Sequence, residues 1–210
     1  MVRKTKHAAL ATRESILDAA AWCYCTLGVC GTTMALIAAR AGCSRGAIYW
    51  HFREPMDILK TLLERGRPRL RERLEAAAEA GPKVLDSLQS CLRQHLCDLE
   101  SDEHSRCALE IVLHRCEFSD EAAAQLLASW HKEHLVIHGA LSCGFDRAQR
   151  FGELRKGLRG ESCATLLEVV LLGALKSDLM QPTRVTPGHG AAMAVDMVFD
   201  LIRARNNHDS

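Results

Sequence analysis

The chain has 210 residues, 48% of them hydrophobic and 5% aromatic, and its 27 Lys and Arg nearly balance 26 Asp and Glu for a net charge of +1. Such a chain can bury a sizeable core in one or two compact domains, which excludes a disordered or low-complexity protein. Its most apolar stretch, Cys163–Leu175, contains Glu168 and falls short of the roughly 20 residues of a membrane span, and no signal-like apolar run precedes Thr12, so a soluble cytoplasmic protein with no membrane partner is expected.

The charge is uneven. Residues 1–75 carry 13 Lys and Arg against 7 Asp and Glu, whereas residues 76–210 carry 14 against 19. A basic head on an acidic body suits a phosphate-binding region joined to one that does not touch nucleic acid. Arg3, Lys4 and Lys6 read as a basic arm that lies along a DNA backbone, reaches a minor groove or is simply solvated. A first helix is predicted over about Thr12–Leu27, with Ile16, Leu17, Ala20, Cys23, Tyr24 and Leu27 on its inner face and Gly28 at its end.

Thr32–Phe52, TTMALIAARAGCSRGAIYWHF, carries the strongest signal. Thr32 and Thr33 supply an N-cap, and Met34, Ile37, Ala38 and Ala41 recur on one helical face. Gly42 can take the left-handed conformation that reverses the chain, and Ser44 caps a second short helix. Two short helices joined by such a turn specify a helix-turn-helix. Arg45 has the planar fork that matches the N7/O6 edge of guanine, and the small Gly46 and Ala47 allow close approach to a groove. Tyr49, Trp50 and His51, with Thr33 and Ser44, are placed to fix register through phosphates.

Beyond it, a fourth helix is expected from Pro55 toward Ala80, bent or broken at Gly66 and Pro68. Gly81-Pro82 restarts the chain, and amphipathic helices follow over about 84–96, 102–115 and 119–142. The glycine- and arginine-rich residues 144–160 read as an exposed connection, and helices at about 161–180 and 187–204 close the chain. The first of that pair is apolar around much of its circumference and needs cover on more than one side.

Residues 12–60 resemble the DNA-binding domain of the tetracycline-repressor (TetR) family, through Ile16–Ala20, Gly28-Val29, TTMALIAARAG and SRGAIYWHF. Within the family, RGAIYWHF, the opening RKTK and RCEF at 115–118 are similar to the AcrR-like regulators that repress multidrug efflux pumps. In one respect the chain departs from that pattern: Phe52-Arg53-Glu54-Pro55 puts proline where a phosphate-contacting lysine is common, leaving Arg53 as its substitute. The resemblance implies a homodimer formed through the last two helices, here with Leu166, Val170, Met193 and Phe199 at the interface. A two-fold dimer reads an inverted repeat of double-stranded DNA. The resemblance also implies a pocket for a small lipophilic effector, with Leu92, Leu96, Ile111, Leu127, Trp130 and His134 as candidate walls, each of which core packing alone also explains.

Ten cysteines are many for a cytosolic chain, but their spacing lacks paired CxxC units. A redox sensor, if present, is best sought at Cys116, flanked by Arg115, and next at Cys43 beside Arg45. His131, His134 and His138 share one helical face that suits a metal, a polar ligand or solvent. No catalytic constellation is visible, so no enzyme, no resident metal and no cofactor are expected. The reading is an all-α protein of about nine helices, with a three-helix DNA-binding domain over residues 1–54 and an effector-binding and dimerisation domain over 55–210. Its expected function is ligand-responsive repression of a multidrug efflux operon; the alternative is a thiol- or metal-sensing regulator of stress or metabolic genes.

Overall fold

The computed structural model describes residues 2–65, 69–115, 121–180 and 189–204, and side chains at 7–65, 69–114, 128, 130–180 and 190–204. Ten α-helices lie among these residues: α1 Val2–Leu27, α2 Met34–Arg40, α3 Arg45–His51, α4 Pro55–Arg65, α5 Leu70–Glu79, α6 Val84–Ser101, α7 Glu103–Glu110, α8 Glu121–Arg150, α9 Gly160–Met180 and α10 His189–Ile202. A π-helical segment, Ile111–Arg115, continues α7. No strand occurs among the described residues, where the one isolated bridge joins Leu154 to Arg203. The all-α class follows; α4 and α5 cover the span of the expected fourth helix, and Gly66 and Pro68, where its bend or break is expected, lie outside the described residues. The chain divides into two compact units, residues 1–67 with 103–128, and residues 68–102 with 129–210.

The first unit is built around α1. Ile16, Leu17, Ala20, Cys23 and Tyr24 are buried at helical spacing, and α2, α3, α4 and α7 all pack against this helix. Leu27, expected on the inner face, is 46% exposed because the helix ends there and Gly28 turns away at a φ of +78°. The buried Tyr24 hydroxyl donates to the Pro55 carbonyl at 2.7 Å, fixing where α4 starts. Burial lifts the Tyr24 phenol well above its ordinary pKa, so it stays a donor. The expected arm at Arg3, Lys4 and Lys6 is instead the first turns of α1. No glycine or proline interrupts residues 2–12, and Ala8, Ala9, Leu10 and Ala11 favour continuing the helix.

The second unit holds one apolar core, centred on Leu74, Leu85, Leu88, Phe145, Leu167, Val195 and Phe199. Its helix ends are capped from a distance. Lys83 sits at a φ of +78° and gives α6 no side-chain cap. The Glu153 carboxylate accepts instead, from the Lys83, Val84 and Leu85 N–H groups at 3.1, 2.9 and 2.9 Å. Likewise Asp146 accepts from the Gly160 N–H at the head of α9, and Asp178 from the Ala191 N–H in α10.

Residues 144–150, expected as exposed connection, belong to α8, and the connection is 151–159. Leu141, Phe145 and Ala148 form one buried face there, and a Cβ on Gly144 would meet Leu88 at 3.0 Å, so its glycine serves close helix packing. No described helix is long and apolar enough to cross a membrane.

Candidate nucleic-acid interface

Local chemistry builds α2, the turn and α3 as the sequence predicts. Thr33 has extended backbone, and its hydroxyl accepts from the Leu36 N–H at 3.3 Å. Thr32 instead donates to the Gly28 carbonyl at 2.7 Å, pinning the loop before α2. Gly42 takes a φ of +63°, and Ser44 accepts from the Ala47 N–H at 3.1 Å. These caps satisfy donors that a seven-residue helix otherwise leaves to water.

Helical periodicity then sorts the side chains of α3. Ile48 and Phe52 are buried in the head, whereas Arg45, Gly46, Tyr49 and Trp50 are exposed. Tyr49 is 51% and Trp50 73% exposed, large apolar surfaces to leave in water without a purpose. A Cβ on Gly46 would meet only the Ser44 hydroxyl, at 3.9 Å. The protein's own packing therefore does not require glycine there, although glycine costs helix stability of about 1 kcal/mol. His51 is half-buried against Trp50, ring centroids 4.5 Å apart, and burial followed by the nearby Arg13 charge lowers its pKa. Arg13 also lies over the Phe52 ring at 5.1 Å, seating the end of α3 on α1. Arg53 is exposed, and its N–H donates to Asp57 at the start of α4. Side chains of Arg3, Lys4 and Lys6 lie outside the described residues, although their backbone is helical.

The candidates farther along divide by burial. Leu92 and Leu96 are core residues of the second unit, Ile111 is buried in the first, and the side chain of Leu127 lies outside the described residues. Trp130 is half-buried with its indole N–H unpartnered, and His134 is exposed. Glu168 accepts from His138 Nδ1 at 2.7 Å and lies 3.6 Å from His134 Nε2, while its other oxygen is buried without a partner. His131 is exposed, and among the described residues no group of three His, Cys, Asp or Glu side chains is arranged to hold a metal. Leu166 and Met193 are exposed at 36% and 56%, and Val170 is half-buried. Phe199 is a correction: it is wholly buried, its ring 5.8 Å from that of Phe145, so it is core and not interface. The exposed apolar positions of α10 are Met193, Met197 and Leu201, four residues apart on its opposite face.

Several residues of consequence went unseen in the sequence. His95 is buried in the second unit, and burial, followed by the Arg73 charge, lowers its pKa to about 4. Its Nδ1 has no partner. Arg40 lies over the Trp22 ring at 3.4 Å, joining α2 to α1 by a cation–π contact. Cys25 and Cys107, 82 positions apart, bring their Sγ atoms within 3.0 Å. Cys43 is half-buried, and Cys116 lies outside the described residues. His95 shares a helical face with Leu88 and Leu92, a weak signal of burial; nothing in the spacing foretold the cysteine pair.

A capped helix pair with a left-handed glycine turn, presenting one polar and aromatic row outward from a buried frame, defines a helix-turn-helix regulator. Residues 16–59 match the family described as bacterial regulatory proteins of the tetR type, and residues 83–204 match the C-terminal region of MAATS-type transcriptional repressors. The chain belongs to the TetR family of transcriptional regulators. It is 31% identical to the HTH-type transcriptional regulator TtgR of Pseudomonas putida over 205 residues, 97% of each chain. Among solved structures it is similar to SmeT in complex with triclosan, with a TM-score of 0.76, 27% identity and coverage of 94% of this chain and 93% of that one. SmeT is the repressor of the Stenotrophomonas maltophilia multidrug efflux pump SmeDEF. NalD, the secondary repressor of the MexAB-OprM multidrug efflux pump in Pseudomonas aeruginosa, aligns with a TM-score of 0.77 and 25% identity over 95% of this chain and 100% of that one.

Proposed function

We propose that this chain is a homodimeric repressor of a multidrug efflux operon that leaves an inverted-repeat operator when a small lipophilic compound binds its body. The outward row on α3 carries the reading: Arg45, Gly46, Tyr49 and Trp50 face solvent on a helix whose other face, Ile48, is locked in the head. In that role Arg45 reads a guanine edge, Gly46 lets the helix approach the groove, and Tyr49, Trp50, His51, Thr33 and Ser44 hold phosphates. Arg3, Lys4 and Lys6 add salt-dependent affinity from the first turns of α1.

The exposed apolar residues Leu166, Val169 and Leu172 on α9, with Met193, Met197 and Leu201 on α10, supply a surface that a second copy covers. The effector site belongs to the body, where His95, Trp130 and Glu168 each keep a buried polar atom unpartnered and where Leu92 and Leu96 are among the buried apolar residues. A few unmatched polar atoms among apolar walls are what a lipophilic ligand with one or two polar groups pairs with. A ligand that binds one body conformation better than another shifts the dimer away from the spacing that fits successive grooves.

Titration of labelled DNA flanking the protein's own gene, in the presence of excess unlabelled nonspecific DNA, tests the proposal. Specific binding to a palindromic segment, released by lipophilic antimicrobials such as triclosan, is the expected result. Binding that every competitor abolishes, or that no compound in a lipophilic panel weakens, overturns it.

A further inference from the structure

The cysteine pair in the first unit belongs to none of these roles. Cys25 lies in the last turns of α1, and Cys107 lies on α7. Their Sγ atoms are 3.0 Å apart, closer than two sulfurs in ordinary packing and about 1 Å longer than the roughly 2.05 Å of a disulfide. Neighbouring contacts hold the two helices in this register. Cys107 Sγ approaches the Ala21 carbonyl at 3.7 Å, and one turn before each cysteine or more, His104 lies 3.3 Å from Asp18. Both thiols line a cleft of about 490 Å³, whose other walls include Asp18, Trp22, Glu103 and Arg106, so a small oxidant can reach them.

We propose that Cys25 and Cys107 are a hydroperoxide-reactive dithiol whose closure to a disulfide staples α7 to α1 and weakens operator binding. The two sulfurs are not equivalent. A hydrogen bond from Cys25 holds the Cys107 thiol below its ordinary pKa, with help from Arg106 and against burial, Glu110 and Glu103. Cys23, two residues from Cys25, is buried, and its pKa is raised by that burial, which leaves it a core thiol. Cys107 is therefore the attacking sulfur and Cys25 the resolving one.

The Cys107 thiolate attacks the terminal oxygen of a hydroperoxide, ROOH. An S–O bond forms, the O–O bond breaks, and the alkoxide takes a proton from solvent and leaves as ROH. The two-electron oxidation leaves Cys107 as a sulfenic acid. Cys25 sulfur then attacks Cys107 sulfur; the S–S bond forms, the S–O bond breaks, and hydroxide departs with the Cys25 proton as water. In sum, two thiols and ROOH give a disulfide, ROH and water, and a dithiol reductant reverses the change by exchange. The bond replaces adjustable packing between α1 and α7 with a fixed joint. Because α2 and α3 pack on α1, a rigid α1 hinders the small adjustments by which each head settles into its half-site.

The operator arm of the test rests on the repressor reading; the chemical arm does not. Reduced full-length protein is treated with a stoichiometric amount of hydrogen peroxide or cumene hydroperoxide and mapped by non-reducing peptide mass spectrometry. The expected result is a Cys25–Cys107 link ahead of any other, loss of two of the ten thiols, and full reversal by dithiothreitol. Cys25→Ser should accumulate a sulfenic acid at Cys107 that dimedone traps, and Cys107→Ser should yield neither product. Cys25→Ala and Cys107→Ala serve as second variants should a serine perturb folding. Scattered oxidation without that link, or equal oxidation of Cys107 in the unfolded chain, overturns the dithiol. Oxidised protein should bind the operator at least about fivefold more weakly than reduced protein, with no such change in the double Cys→Ser variant. A linked protein with unchanged affinity overturns the regulatory half. If reduced protein finds no specific site either, the repressor reading fails while the peptide map still decides the chemistry.

Discussion

The reading head and the helical body solve the same problem, the unpaired ends of helices, over different distances along the chain. In the head, the cap of α2 runs from Thr33 to Leu36 and that of α3 from Ser44 to Ala47, three residues each. In the body, α9 is capped across 14 residues, α10 across 13, and α6 by a glutamate up to 70 residues away. A surface of fixed geometry is thus written locally, where a short segment sets the direction of Arg45 and Tyr49. The body's helix ends depend on the tertiary fold being in place. Such remote ties make the body's arrangement a cooperative property, which suits a region proposed to change shape with a ligand.

The most forceful way to break this contrast is Glu153→Ala. It leaves three N–H groups at the start of α6 without their carboxylate, two of them part-buried. A loss of about 3–4 kcal/mol is expected, larger than for an ordinary cap because the acceptor is charged and shared. Urea unfolding followed by circular dichroism reads it. A loss under about 1 kcal/mol would mean that α6 starts correctly without its remote cap.

His95 comes next. Its imidazole binds a proton at about 4 in the folded chain against 6.5 when unfolded, so the unfolded state takes up the proton first as pH falls. This contribution to stability is therefore intact above about pH 7 and is lost progressively from about 6.5 down to about 4. A total on the order of 3 kcal/mol follows from the linkage. His95→Leu should flatten the stability profile of the wild type across that window. The Arg73 partner Asp98 has its pKa lowered, chiefly by the Arg73 hydrogen bond, so its contribution is lost at more acid pH and remains in both proteins. Parallel profiles would place the His95 proton elsewhere.

How much of this was legible in the sequence follows the same divide. Thr33, Gly42 and Ser44 are recognisable because turn and cap rules act over three or four residues, and the inward Ile48 and outward Tyr49 follow from helical periodicity. Residues 144–150 misled for a complementary reason. Glycine and arginine there look like a loop until α6 is brought alongside, when Gly144 becomes a close contact with Leu88 and Phe145 a core residue. Phe199 and Met197 lie two apart on one apolar helix, and only the placement of Phe145 decides which faces inward. The charge of residues 3–6 suggests an arm apart from the first helix, yet nothing before Thr12 stops a helix.

The smallest effects test whether the head divides its labour as proposed. Arg45→Ala should lower operator affinity by about 1–3 kcal/mol, roughly fivefold to 150-fold, and relax preference at one base position of each half-site. Tyr49→Phe removes one exposed hydroxyl while keeping the ring, so it should weaken every sequence alike, by less than about 1 kcal/mol. The informative quantity is the ratio between cognate and single-mismatch sites. Arg45→Ala should collapse that ratio at one position, whereas Tyr49→Phe should leave it unchanged across the site. If Tyr49→Phe altered the ratio and Arg45→Ala did not, base reading would belong to the middle of α3 instead of its first turn. The open space above Gly46 would then be the approach route for a helix docked deeper and turned by one residue, since Gly46 and Tyr49 lie three apart on the same face.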